Sequence, residues 1–222
     1  MQRWATFDCY GTLVDWNAGI RAELEKLLGV EKADELLRRY HELEPEIQAA
    51  SPGASYREVL TLTVERLAAE TGLTLPEGEA SGLARSLPSW PVFDDVRPGL
   101  TEARERGWKL AILSNTDRDL VDASMEAIGI WFDYAVVAGE IGSYKPSPGH
   151  WEVFRKKTGA DPENHVHVAQ SLFHDIGPAT ELGIRTIWIN RLGESEDPRP
   201  TVTLTGVGEL ADALDRLVPA DE

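Results

Sequence analysis

"WATFDCYG", residues 4–11, decides the fold of this chain. A short apolar run, Trp4-Ala5-Thr6-Phe7, ends directly in a carboxylate, Asp8, and then in a turn at Tyr10-Gly11-Thr12. Similar runs bounded by turn residues recur as "LAIL" at 110–113, "YAVVA" at 134–138, "HVHVA" at 165–169 and "TIWIN" at 186–190. Continuous rather than alternating apolar strands belong to a parallel sheet covered on both faces. After residue 94 the runs alternate with helical patterns, "RPGLTEARERG", "TDRDLVDASMEAIGI", "SPGHWEVFRKKTG" and "DIGPATELG". That alternation predicts an α/β fold, closed by a short strand and a helix in "VTLTGVGELADALDRL".

Residues 15–92 break the rhythm and show no convincing strand. "NAGIRAELEKLL" repeats its apolar positions at Ile20, Leu24, Leu27 and Leu28, and "ADELLRRYHELEPEI" at Leu36, Tyr40, Leu43 and Ile47, both at helical spacing. "SYREVLTLTVERLAAE" opens with Ser55 and Glu58, the pattern of a capping box. Pro88 and Pro91 punctuate the exit. The reading is a parallel-sheet core built from residues 1–14 and 93–222, with an all-helical insertion at 15–92.

A chain of 222 residues is long enough to bury a full core. Its formal charge of −16 argues against a nucleic-acid surface, which needs a basic footprint. No apolar run approaches the ~20 residues of a membrane helix, and the first residues lack the layout of a signal peptide. The single cysteine, Cys9, excludes an internal disulfide framework and fits a cytoplasmic protein.

In an open parallel sheet, ligands bind beyond the carboxyl ends of the strands, at the point where strand order reverses. Asp8 ends the first run, and Ser114 and Asn115 follow the second. Lys145 lies in the loop after the third, and Asp175 follows the fourth. Each alone is ordinary, since Asp and Asn cap helices and single lysines are usually solvated. Their joint placement at successive strand ends is much harder to explain as capping.

"FDCYGTLVD", "LAILSNTD", "YKPSPGHW" and the aspartate of "SLFHDIG" resemble, in that order and spacing, the four motifs of the haloacid dehalogenase superfamily of hydrolases. The resemblance runs over essentially the whole chain. It implies a Rossmann-like core, a mobile helical cap, and Asp8 as a nucleophile that forms a covalent ester. Phosphatases of the superfamily carry a second aspartate two residues after the nucleophile, as general acid and part of a Mg²⁺ site, and a further acidic ligand in the fourth motif. Here those positions read Tyr10 and Ala169-Gln170. A hard dication wants charged oxygen ligands, so Mg²⁺ is expected only if the chain is a phosphatase after all.

The first motif resembles that of the type II 2-haloacid dehalogenase branch, which works without a cofactor. That likeness implies that Asp8 attacks C2 of a small anionic organic acid, with inversion. Ser114 and the backbone near Tyr10 would hold the substrate carboxylate, and Thr12 and Lys145 would keep Asp8 ionised and oriented. Asp175 would pair with Lys145 and position the hydrolytic water. Arg39, in an Arg-x-x-x-Leu-Glu pattern, would bind the halide together with Asn115, and Trp151 would touch substrate in place of the branch's tyrosine. Helix geometry gives Arg39 separate support, because it lies at the border of the Leu36–Tyr40–Leu43–Ile47 stripe. Gln170-Ser171-Leu172 stands where the branch reads Ser-Ser-Asn. A homodimer is also an expectation of that branch.

Two other readings stay open, a Mg²⁺-dependent phosphatase and a degenerate member that binds without turnover. His165 and His167 share a strand face, but two histidines without a third ligand are weak evidence for a metal, and packed core residues are the plainer reading. His174 adjoins Asp175 at the pocket mouth. Cys9, beside the nucleophile, has no histidine partner in the sequence.

Overall fold

The structure, a computed structural model, describes residues 2–51, 53–195, 197 and 199–220. The chain divides into two compact units, Met1–Val14 with Val92–Glu222, and Asp15–Pro91.

The first unit begins with β1 (Trp4–Phe7), all four of whose residues are buried. The second unit follows as α1 (Trp16–Leu28), α2 (Ala33–Ala50), α3 (Tyr56–Thr71) and α4 (Gly82–Ser86), joined by short 3₁₀ turns. The chain then returns through α5 (Val96–Glu105), β2 (Lys109–Ser114), α6 (Arg118–Ile128), β3 (Tyr134–Val137), α7 (Ala138–Ile141) and α8 (Gly149–Thr158). It finishes with β4 (His165–Ala169), α9 (Gly177–Glu181), β5 (Arg185–Ile189), β6 (Val202–Leu204) and α10 (Leu210–Leu217).

All the strands pair in parallel, in the order β3-β2-β1-β4-β5-β6. This is the doubly wound arrangement, and its strand order reverses between β1 and β4. The register sets Phe7 beside Ile112 on one side and Val168 on the other. Asp8, one residue further on, therefore emerges at the reversal point. Gly11 makes the following turn possible: it adopts φ 90°, a region closed to most side chains, and its N–H donates to Val14 O at 2.8 Å.

The helical unit follows its sequence patterns. Ile20 and Leu24 of α1, Leu36, Tyr40 and Leu43 of α2, and Val59, Leu60, Val64 and Leu67 of α3 are buried. The Ser55–Glu58 capping box is formed, with both reciprocal bonds present, worth about 1 kcal/mol. Gly19 is there for space, since a Cβ on it would lie 2.2 Å from the Trp90 ring. No described helix is long and apolar enough to cross a membrane.

The segment after β4 departs from the sequence pattern. In place of one helix over "DIGPATELG" there is a turn of π-helix at Leu172–Ile176, followed by the short α9. Turns of this kind are frequent at functional sites, and this one carries Asp175.

Candidate active site

The ends of β1, β2 and β4 and the loop before α8 bring Asp8, Thr12, Lys145 and Asp175 together. Lys145 Nζ donates to Asp8 Oδ1 at 2.9 Å, to Asp175 Oδ1 at 2.7 Å and to Leu113 O at 2.8 Å. Thr12 Oγ1 donates to the other oxygen of Asp8 at 3.0 Å and accepts from Gln170 N at 2.9 Å. Both oxygens of the Asp8 carboxylate are thus held, and its plane is set.

The electrostatics follow from burial. Lys145 and Asp175 side chains are each 1% exposed. Desolvation costs a buried ion several kcal/mol, but each Lys145 contact returns roughly 4 kcal/mol or more even at an effective dielectric of about 20. Burial opposes the charge on Lys145, and Asp175 and Asp8 overcome it and raise its pKa. Burial likewise opposes charge on Asp175, yet Lys145 and His167 hold that carboxyl well below the usual carboxylate range. For Asp8 burial prevails: its carboxyl is pushed up, against Lys145 and the Thr12 hydrogen bond.

Ser114 closes β2, next to the end of β1. Its Oγ is buried and has no hydrogen-bond partner among the described residues. Its carbonyl accepts from His150 Nε2 at 3.0 Å, which ties α8 to the strand end.

The structure gives four of the expected site residues contacts that the sequence did not show. Asn115 bonds to the backbone of Lys145 through both ends of its amide. Its Nδ2 donates to Lys145 O at 3.0 Å and its Oδ1 accepts from Lys145 N at 2.7 Å, so it clamps the lysine's backbone. Tyr10 turns its phenol inward, 3.1 Å from Ser124 Oγ on α6. Trp151 packs in the core with Trp4, Ala111, Leu113 and Phe154, because the buried face of α8 carries it there. Arg39 gives Nε and Nη2 to Glu70 and Nη1 to Glu42, so its guanidinium is engaged within the helical unit.

One functional contact escaped the sequence reading. His167, fully buried on β4, has Nε2 2.9 Å from Asp175 Oδ1 and Nδ1 2.8 Å from Thr6 Oγ1. His165 Nε2 lies 2.7 Å from the same hydroxyl. The shared face of the two histidines was visible as strand alternation, but the carboxylate they serve lies in the π-turn. Cys9 is buried, and burial pushes its thiol up, so it stays protonated.

A divalent metal does not fit this donor set. Asp8 and Asp175 are bridged by an ammonium, Tyr10 supplies no carboxylate, and the Gln170 side chain donates to Glu194 at 3.1 Å. No group of three or more His, Cys, Asp or Glu suited to a metal occurs among the described residues.

Comparison with known proteins places these features in context. A family model described as haloacid dehalogenase-like hydrolase matches residues 3–183. A phosphoserine phosphatase of Thermus thermophilus is 30% identical over 137 residues, 61% of this chain but only 55% of that protein. Haloacetate dehalogenase H-2 of a Moraxella species is 27% identical over 195 residues, 86% of this chain and 87% of that protein. The solved L-2-haloacid dehalogenase of Xanthobacter autotrophicus with chloropropionic acid covalently bound shares the fold. Its TM-score is 0.83 at 18% identity, covering 96% of this chain and 98% of that one.

Proposed function

The chain belongs to the haloacid dehalogenase-like hydrolases, and from that membership we propose that it hydrolyses the carbon–halogen bond of a small 2-haloacid through an ester on Asp8, without a metal ion. An Asp8 oxygen attacks C2, and the C–O bond forms as the halide leaves with the bonding pair. Water then adds to the Asp8 carbonyl carbon and releases the 2-hydroxyacid. The balance is one water consumed and one halide and one proton released, with one oxygen of Asp8 now derived from water.

The observation that carries this reading is the pairing of a held Asp8 with an inward-turned Tyr10. An alkoxide leaving from a phosphate ester needs a proton, and the position that would donate it bears a phenol occupied elsewhere. Halide needs none. The Ser114 hydroxyl, buried at the end of β2 and without a partner among the described residues, supports a place for the substrate carboxylate. Among the described residues Asp175 takes its hydrogen bonds from Lys145 and His167 on Oδ1, which leaves Oδ2 to hold the hydrolytic water. The haloacetate dehalogenase relative, matched over most of both chains, favours the same substrate class.

The test is halide release from chloroacetate and 2-chloropropionate in the presence of a chelator. The expected result is turnover that Asp8→Asn abolishes, with ¹⁸O from labelled water entering Asp8. Halide release no faster than in the Asp8→Asn control overturns the proposal. Chelator-sensitive phosphate release from an aryl phosphate would replace it with the phosphatase reading.

A further inference from the structure

We propose that His167 is a positioning residue for the second half of the reaction, holding Asp175 through a buried relay of His165, Thr6 and His167. The inference rests on the ester mechanism above and assigns a step to residues that do not touch substrate.

The relay is continuous and its members are inaccessible. Thr6 and His167 have no exposed surface and His165 is 3% exposed. The strand register places Thr6 beside His167 and Trp4 beside His165, so the Thr6 hydroxyl reaches both rings, at 2.7 and 2.8 Å. Asp175, an ionised carboxylate, can only accept, so His167 Nε2 carries a hydrogen and donates to Oδ1 at 2.9 Å. The tautomer with its hydrogen on Nε2 leaves Nδ1 to accept from the Thr6 hydroxyl. The Thr6 oxygen accepts in turn from His165 Nε2. All three bonds agree in direction, and one tautomer of each ring satisfies them. The edge of Trp151 against the His167 ring, with centroids 5.2 Å apart at 76°, fixes its plane.

This arrangement does something that a packed core does not require. An apolar residue at 167 would fill the strand without leaving a polar group to satisfy. Instead His167 and Lys145 converge on a single oxygen of Asp175 from separate elements. Two donors on Oδ1 stop the carboxylate from rotating about its Cβ–Cγ bond and keep Oδ2 aimed at the water. Lys145 also serves Asp8, and so acts in both halves of the reaction. Of the two carboxylates, His167 touches only Asp175, and its effect is confined to ester hydrolysis.

That confinement has a kinetic signature. Once carbon–halogen cleavage has occurred, kcat/KM no longer registers later steps, whereas kcat does. His167→Phe is therefore expected to lower kcat by roughly 10–100-fold, the range for a lost hydrogen bond to a charged group. KM should fall in parallel and kcat/KM should stay near wild type. Intact-mass analysis of the quenched enzyme should show the substrate-derived ester accumulating on Asp8. His167→Gln, which returns an N–H near the Nε2 position, should restore part of kcat. Thr6→Val, a β-branched replacement within β1, removes the relay and should give a smaller loss with the same parallel fall in KM.

A fall of kcat/KM as large as that of kcat, with no ester trapped in either His167→Phe or Thr6→Val, would show that the relay only holds the fold. So would unchanged kinetics in both variants. Absence of halide release by the wild-type enzyme would instead defeat the underlying ester reading, so the two failures are separable.

Discussion

The Lys145 ammonium lies 2.7 Å from Asp175 Oδ1, with each side chain 1% exposed. Removing one member of such a buried pair strands the other in a poor solvent. Lys145→Met is expected to lower stability by roughly 3–5 kcal/mol and to abolish halide release. Chemical denaturation and a halide assay at neutral pH check both parts. A variant of wild-type stability would show that the pair is far better solvated than this geometry implies.

Asp8 must be ionised to attack, and protonation removes its nucleophilic pair. Because burial raises its carboxyl above the ordinary value of 3.8, activity should decline while the pH is still above that value. The pH profile of kcat/KM for halide release should show this acid limb. A limb lying below about 4, the ordinary aspartate range, would contradict it.

Asp175 behaves in the opposite sense. Its folded-state carboxyl is held well below the unfolded value, so it contributes stability at neutral pH that is lost as pH falls from the unfolded pKa, about 3.9, toward the folded one. Asp175→Asn should be less stable at pH 7 and should lose less further stability on acidification than wild type. Thermal melts between pH 7 and pH 3 would read the difference.

Arg39 is committed to Glu70 and Glu42 in an exposed setting. Exposed pairs contribute about 0–1 kcal/mol, so Arg39→Gln should melt close to wild type and keep a near-normal kcat/KM for halide release. A loss of about tenfold or more, some 1.4 kcal/mol in barrier, would return Arg39 to the halide site.

Trp151 is a core residue whose indole N–H is buried without a partner among the described residues. Trp151→Ala should cost about 3–5 kcal/mol. Trp151→Phe should cost markedly less, because removing an unsatisfied donor recovers part of the about 1–3 kcal/mol that its burial costs. Denaturant midpoints separate the two, and equal losses would show that the N–H is satisfied.

Much of the molecule was legible before any coordinates. The apolar runs that open at Trp4, Leu110 and His165 became parallel strands, and the stripe through Leu36, Tyr40 and Leu43 became a buried helix face. These follow from local periodicity and burial. Arg39 shows where such reasoning stops: its helical position was readable, but its partner Glu70 lies 31 residues away on another helix. Trp151 shows the same limit, since a fixed offset from Lys145 says nothing about which face of α8 is buried. Asn115 was placed correctly at a strand end, yet only the folded loop revealed that its amide grips the Lys145 backbone.

By itself, then, the chain's residue order determined the strands, the helices and the placement of Asp8 at the end of the first strand, because these depend on side-chain pattern and backbone hydrogen bonding over a few residues. The tertiary structure alone decided which polar atoms meet. Lys145 reaches Asp8 across 137 positions, and His167 finds Asp175 only because a π-turn folds that carboxylate back over the strand. A hydrogen bond exists or fails within a few tenths of an ångström, a precision set by packing of the whole core.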